Sequence, residues 1–127
     1  MIIVKSKDLN YIPASHEDQQ NPEVWKKILF RKEDLAGDGV RMINWAKLPK
    51  GNSFKAHYHE NMDEIYIILN GKTIVKVAGE EAELEKGDAV LIPTKLIHKM
   101  TNVCNEDVIY IVVGISRGRD GKTVIVE

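Results

Sequence analysis

From residue 36 onward the apolar positions fall into short alternating runs separated by turn signals. Residues 40–45 set Val40, Met42 and Asn44 against Arg41, Ile43 and Trp45, a period of two that predicts a strand. Similar short runs occupy 65–69, 72–78, 81–85, 89–92, 96–103, 108–115 and 123–126. Between them lie Gly37-Asp38-Gly39, Gly79-Glu80, Lys86-Gly87-Asp88, Pro93-Thr94-Lys95, Asn105-Glu106-Asp107 and a glycine-bearing turn at 118–121. No segment after residue 35 keeps a helical period over two turns. Many short strands with glycine and proline turns predict an all-β fold, a sandwich or a barrel.

The first 35 residues are less regular. Residues 2–4 read as a short strand, and 11–13 as an edge segment ended by Pro13. The polar stretch 14–22 reads as an exposed loop, and its His16 as a solvated histidine; a part in a substrate lid is the other reading. Residues 24–30 alternate imperfectly, Trp25, Lys27 and Leu29 against Lys26, Ile28 and Phe30, which suits a strand or a short helix. The charged run 31–34 is expected to be solvated. The whole is read as one domain, with strands and loop from 1–35 packing on a barrel formed by 36–127.

Composition narrows the partners. A net charge of −1, with Lys and Arg scattered apart from Arg117 and Arg119, offers no footprint for nucleic acid or an anionic membrane. A single cysteine, Cys104, rules out an intrachain disulfide framework. The opening Met-Ile-Ile-Val is too short for a secretory signal and no run reaches membrane-span length, so a cytoplasmic protein is expected.

The chemistry concentrates in residues 51–71. His57 and His59 are two apart: on a helix their side chains would diverge, whereas on a strand they share one face. The β-branched and aromatic run 65–69 follows at once, so 60–63 read as a turn, and the hairpin returns Glu64 beside the two imidazoles. His98 is the candidate for a further ligand. Three imidazoles and a carboxylate suit Mn, Fe, Co, Ni, Cu or Zn and are too rich in nitrogen for Mg or Ca.

Two stretches carry a family resemblance. Gly51, His57-x-His59, Glu64 and Gly71 match the first cupin motif in spacing, and Gly87, Pro93, His98 and Asn102 resemble the second. The second departs at one place, where Lys95 stands at the usual glycine. The resemblance implies a double-stranded β-helix, a jelly-roll barrel of two antiparallel sheets, with His57, His59, Glu64 and His98 binding one divalent transition metal inside it. It also implies two functional classes. One is a small-molecule enzyme, dioxygenase-like or sugar or sugar-phosphate isomerase-like, holding a small polar molecule at the metal's open positions. The other is a non-catalytic metal-dependent sensor or carbohydrate-binding module.

The remaining candidates are secondary. Tyr66 and Ile68 share the parity of Glu64 and should line the cavity, with Tyr66 the candidate catalytic hydroxyl. Parity places no other His or Glu there, which tilts the expectation toward redox chemistry or plain binding. Phe54, Met42, Met62 and Met100 are apolar wall or core residues, and Tyr58 should face outward. Cys104 is read as an inert buried thiol, Lys95 as an exposed turn residue, and Asp63 as a solvated turn residue or a partner of a ligand histidine. Apolar residues on both faces of 65–69 and 109–113 predict a covered outer surface and a homodimer.

Overall fold

The computed structural model describes residues 1–117 and 122–127; the expected turn at 118–121, with Arg119, lies outside them. The strands are β1 (Ile12–Pro13), β2 (Trp25–Arg31), β3 (Val40–Leu48), β4 (His57–His59), β5 (Met62–Asn70), β6 (Lys72–Val77), β7 (Glu80–Glu85), β8 (Ala89–Ile92), β9 (His98–Asn102), β10 (Val108–Ser116) and β11 (Thr123–Ile125). They form two antiparallel sheets, ordered β1-β2-β3-β10-β5-β8 and β11-β4-β9-β6-β7. This is the expected all-β double-stranded β-helix.

Alternation decides which side chains meet inside. Across the six-stranded sheet the register aligns Ile28, Asn44, Val112, Tyr66 and Val90 in one row, and Arg31, Met42, Gly114, Glu64 and Ile92 in the next. Between the sheets Phe54, Leu48, Ile68, Met100 and Val108 are fully buried, each burial favouring the fold by about 1.5–3 kcal/mol. The N-terminal strands β1 and β2 extend this sheet beyond β3.

The imperfect alternation in 24–30 has a physical cause. Ile28 pairs with Asn44 but Phe30 pairs with Ile43, so β2 carries a bulge between them. One extra residue reverses the facing of everything after it, which puts Arg31 on the inward face with Lys26 and Ile28. The charged run beyond it closes into a single 3-10 turn, Lys32–Asp34, whose Asp34 carboxylate accepts from Arg31 N at 2.9 Å.

Several expectations are corrected. Residues 2–4 form no strand; the first regular element is a 3-10 turn at Ser6–Asp8. The hairpin expected across 60–63 does not form: β4 and β5 lie in different sheets, and residues 60–61 carry the chain from one sheet to the other, since β5 already begins at Met62. The strand expected over 96–103 begins at His98, and Cys104 lies beyond its end, half-buried. The stretch 14–22 is not an exposed loop throughout. Glu17 is buried and its Oε1 accepts from Val24 N at 2.9 Å and Glu23 N at 3.2 Å, while Ala14 N donates to Val24 O. These bonds fold the segment back onto the barrel mouth.

Candidate metal centre

The four predicted residues converge. One donor atom each from His57, His59, Glu64 and His98 lies within 4.8 Å of all the others, and all four side chains are buried or nearly so. Opposite ligands of an ion with bonds of about 2.1 Å sit about 4.2 Å apart, so the cluster needs only a slight contraction to share one. His57 and His98 are paired across β4 and β9, and Glu64 arrives from β5 in the opposite sheet.

Backbone carbonyls select the ring tautomers. His57 Nδ1 lies 2.7 Å from Lys55 O, and His98 Nδ1 lies 3.0 Å from Leu96 O. A carbonyl only accepts, so each Nδ1 carries the proton and each Nε2 keeps its lone pair. His98 Nε2 is buried without a hydrogen-bond partner, 3.2 Å from Glu64 Oε1 but not aligned for a bond. An orphaned, lone-pair-bearing nitrogen beside a carboxylate is what a cation would satisfy. His59 Nδ1 meets Thr123 Oγ1 at 2.9 Å, and its Nε2 meets Glu64 Oε1 at 2.8 Å. The donor set therefore fits one divalent transition metal of unspecified identity.

Protonation states agree with a ligand role. Burial, with the neighbouring His16 and His98, lowers the His57 pKa to about 3, so the ring is neutral at physiological pH. Burial opposes ionisation of Glu64, but the hydrogen bond and charge from His59 outweigh it and hold the carboxyl well below the usual carboxylate range. Tyr66, on the same face of β5, donates to Glu64 Oε1 at 3.1 Å; burial and the Glu64 charge push its own pKa well up, so it remains a donor.

Beside the cluster lies a cavity of about 120 Å³, lined by His59, Glu64, Tyr66 and Tyr110 among others. Two lining residues were not expected there. His16, expected to be solvated, stacks on His57 with ring centroids 4.2 Å apart, and its Nε2 is buried without a partner. Burial lowers its pKa to about 4. No parity argument reaches a loop residue, so the sequence favoured the solvated reading of His16 over the lid reading, and the structure overturns that preference. Asn44 is 7% exposed with Oδ1 unpartnered. Its signal was available: an amide on the Met42 face of a strand that otherwise reads apolar.

The other candidates find structural roles. Met42 and Met62 line the cavity, whereas Phe54 and Met100 belong to the core. Asp63 binds no ligand histidine; its Oδ1 accepts from Thr94 N and Thr94 Oγ1, both at 2.7 Å, and its Oδ2 lies 3.1 Å from Arg117 Nε. It thereby anchors the turn that leads into His98. Lys95 is exposed in that turn, with φ +69° and its N–H on His59 O at 2.8 Å. Tyr58 faces an outer depression with Glu60, Asn61 and Lys95. The Cys104 thiol lies 3.2 Å from Asn102 Oδ1 and 3.3 Å from Glu106 O.

Comparison with known proteins agrees with the fold. The family model described as a cupin domain matches residues 44–114. An uncharacterised protein of Methanocaldococcus jannaschii is 38% identical over 60 residues, covering 47% of this chain and 48% of that protein. Quercetin 2,3-dioxygenase of Bacillus subtilis is 31% identical over 61 residues, 48% of this chain but 18% of the enzyme. The chain thus spans about half the length of the first relative and under a fifth of the second. Among solved structures, a predicted oxalate decarboxylase from Thermotoga maritima superposes with TM-score 0.80 at 27% identity, covering 91% of this chain and 99% of that one.

Proposed function

The chain belongs to the cupin domain family, and from that premise we propose that it is a mononuclear-metal enzyme acting on a small polar molecule by an isomerase-like proton transfer. The observation that carries this reading is the chamber beside the cluster. Two of the four cluster residues, His59 and Glu64, form part of its wall, so one side of the site faces space rather than packed protein. Structural metal sites are closed by protein ligands; working sites keep a side open. The chamber is smaller than the 300 Å³ or more typical of drug-sized ligands, which favours a molecule of a few carbons.

His57, His59, Glu64 and His98 would hold the metal. When bound it supplies Lewis acidity toward a vicinal diol, keto-enol or carboxylate or, if redox-active, oxygen activation. The chain's own residues supply orientation and proton handling. Tyr66 fixes the Glu64 carboxylate through its hydroxyl. His16 is neutral at physiological pH and brings an unpartnered Nε2 to the cavity wall, the general base that isomerisation needs. The similarity to quercetin 2,3-dioxygenase favours a second, dioxygenase-like reading.

The test begins with metal content of untagged protein by elemental analysis. The loaded protein is then offered small 2-hydroxy aldehydes, ketones and diols. Solvent deuterium entering a substrate carbon supports proton transfer, and oxygen uptake supports the second reading. About one metal per chain with saturable binding, but neither exchange nor oxygen uptake, would leave a non-catalytic binding module and overturn the enzyme reading.

A homodimer belongs to the same proposal. The outward rows of the six-stranded sheet are apolar across four strands, with Leu91, Ile65, Val113 and Ile43 in one register row. Leu91 is 57% exposed in the single chain. A contiguous apolar face of this kind marks an interaction surface.

A further inference from the structure

The metal-side chamber adjoins a second compartment of about 410 Å³, and Ser15, Lys26, Met42, Asn44 and Met62 line both. Among the described residues, Lys26, Arg31, Lys32, Arg41 and Glu33 line the outer compartment. Lys32 and Arg41 have interactions of their own, so Lys26 and Arg31 are the cations on which the inference turns. Their placement is built into β2, since the bulge after Ile28 is what turns Arg31 to the face that already holds Lys26. Lys26 Nζ sits at the neck on the neutral hydroxyl of Ser15, not on a carboxylate. Burial and the charge of Arg31 both disfavour its protonated form, a penalty that a bound anion would relieve.

The neck also holds Asn44, more than nine-tenths buried, with its Oδ1 unpartnered. Amide ends are interchangeable in such a setting, so this is one unsatisfied polar end pointing a ligand's way. Polar and cationic groups thus continue from the shared wall into the outer compartment.

We propose that the pocket takes a small hydroxylated anion, its carboxylate or phosphate held in the outer compartment by Lys26 and Arg31, Asn44 bonded to its middle, and its hydroxyl or carbonyl end facing the metal cluster. This deepens the small-molecule reading of the metal centre and rests on it. The anionic group is recognised by charge-assisted hydrogen bonds, which carboxylate and phosphate share.

The test is a titration of metal-loaded protein with glycerate, glycerol 3-phosphate and neutral glycerol, read by the fluorescence of Trp25, which lines the inner chamber, and by calorimetry. At least one anion should bind about ten-fold or more tightly than glycerol, and added salt should weaken it. Which anion binds better identifies the carboxylate or the phosphate. The paired change Lys26→Gln with Arg31→Gln should abolish the preference. Asn44→Asp, nearly identical in shape, should weaken anion binding while the circular dichroism spectrum stays that of the parent. Equal affinity for glycerol and both anions, a preference that survives the paired change, or no saturable binding of either anion at millimolar concentration each overturns the inference. Metal bound without anion preference sinks this inference alone. Anion preference in a chain that takes up no metal sinks the metal-centre reading and leaves the pocket.

Discussion

The carbonyls of Lys55 and Leu96 govern what His57 and His98 can bind, because a proton fixed on Nδ1 leaves each Nε2 lone pair free. His57→Ala or His98→Ala should therefore lose bound metal, measured by elemental analysis, while the β-sheet circular dichroism persists. Retained metal at full stoichiometry in both variants would sink the ligand assignment. Tyr66 acts one step further out, through Glu64. Tyr66→Phe should keep the metal and lower turnover by about ten- to a hundred-fold, since one hydrogen bond to a charged group is worth about 1.5–3 kcal/mol; unchanged turnover would assign Tyr66 to packing. Lys95 raises a different question at the same scale. Its φ of +69° lies where a β-carbon is crowded and glycine is not, yet the Lys95 N–H still closes on His59 O. The motif turn is therefore kept in shape at the expense of local strain. Lys95→Gly should leave metal binding intact and stabilise the fold by about 0–1 kcal/mol, the relief of strain being partly offset by the freer unfolded chain. Urea denaturation checks this, and a loss of stability beyond about 1 kcal/mol would show that the lysine side chain contributes a contact of its own.

At the scale of elements, the strand rhythm after residue 36 was legible because alternation and turn residues are local signals. His57, His59 and Glu64 were legible because strand parity and close spacing bring them together, although across a sheet-to-sheet connection rather than the expected hairpin, and His98 came with the second motif. What could not be read was anything set by a register shift or a loop. The bulge in β2 hides behind an alternation that merely looks poor, and His16 reaches His57 only because Glu17 ties its segment to Glu23 and Val24. Gly114 shows how tightly such elements meet. It pairs with Met42 on β3 and Glu64 on β5, and a β-carbon there would lie 2.2 Å from Met42 Sδ and 2.7 Å from Met62 Sδ. Gly114→Ala should push both methionines into the cavity, destabilise by about 1–3 kcal/mol and weaken ligand binding more than metal binding. Equal ligand affinity in a folded variant would show that the neck is wider than its lining implies. On the outer face, Leu91→Glu should convert the proposed dimer to monomer in light scattering without loss of metal; a parent protein that is already monomeric would remove the dimer from the proposal.

For the whole molecule, the burial of neutral imidazoles couples stability to pH. His16 and His57 have ordinary pKa values near 6.5 when unfolded, and burial lowers them to about 4 and about 3 in the fold. A depressed folded pKa means that the unfolded chain takes up protons first. The stability tied to these rings is therefore complete above about pH 6.5 and is lost as pH falls through that value toward their folded pKa values. Glu64 has the same sign at lower pH: its carboxyl is held below the unfolded value of 4.5, so the stability it contributes is lost only as pH falls below that value. Metal-free protein should thus begin to weaken from about pH 6.5, well before ordinary carboxylates titrate, and the urea midpoint should fall steadily between about pH 7 and pH 5. His16→Gln should flatten the upper part of that fall, because the glutamine has no proton to take up. Metal should oppose it by binding only the folded, deprotonated cluster, until protons displace the ion. A midpoint that is flat from about pH 7 to pH 5 in metal-free protein would mean that water reaches these imidazoles, and that the chamber beside the cluster is open to bulk solvent rather than shielded by the folded-back segment that carries His16.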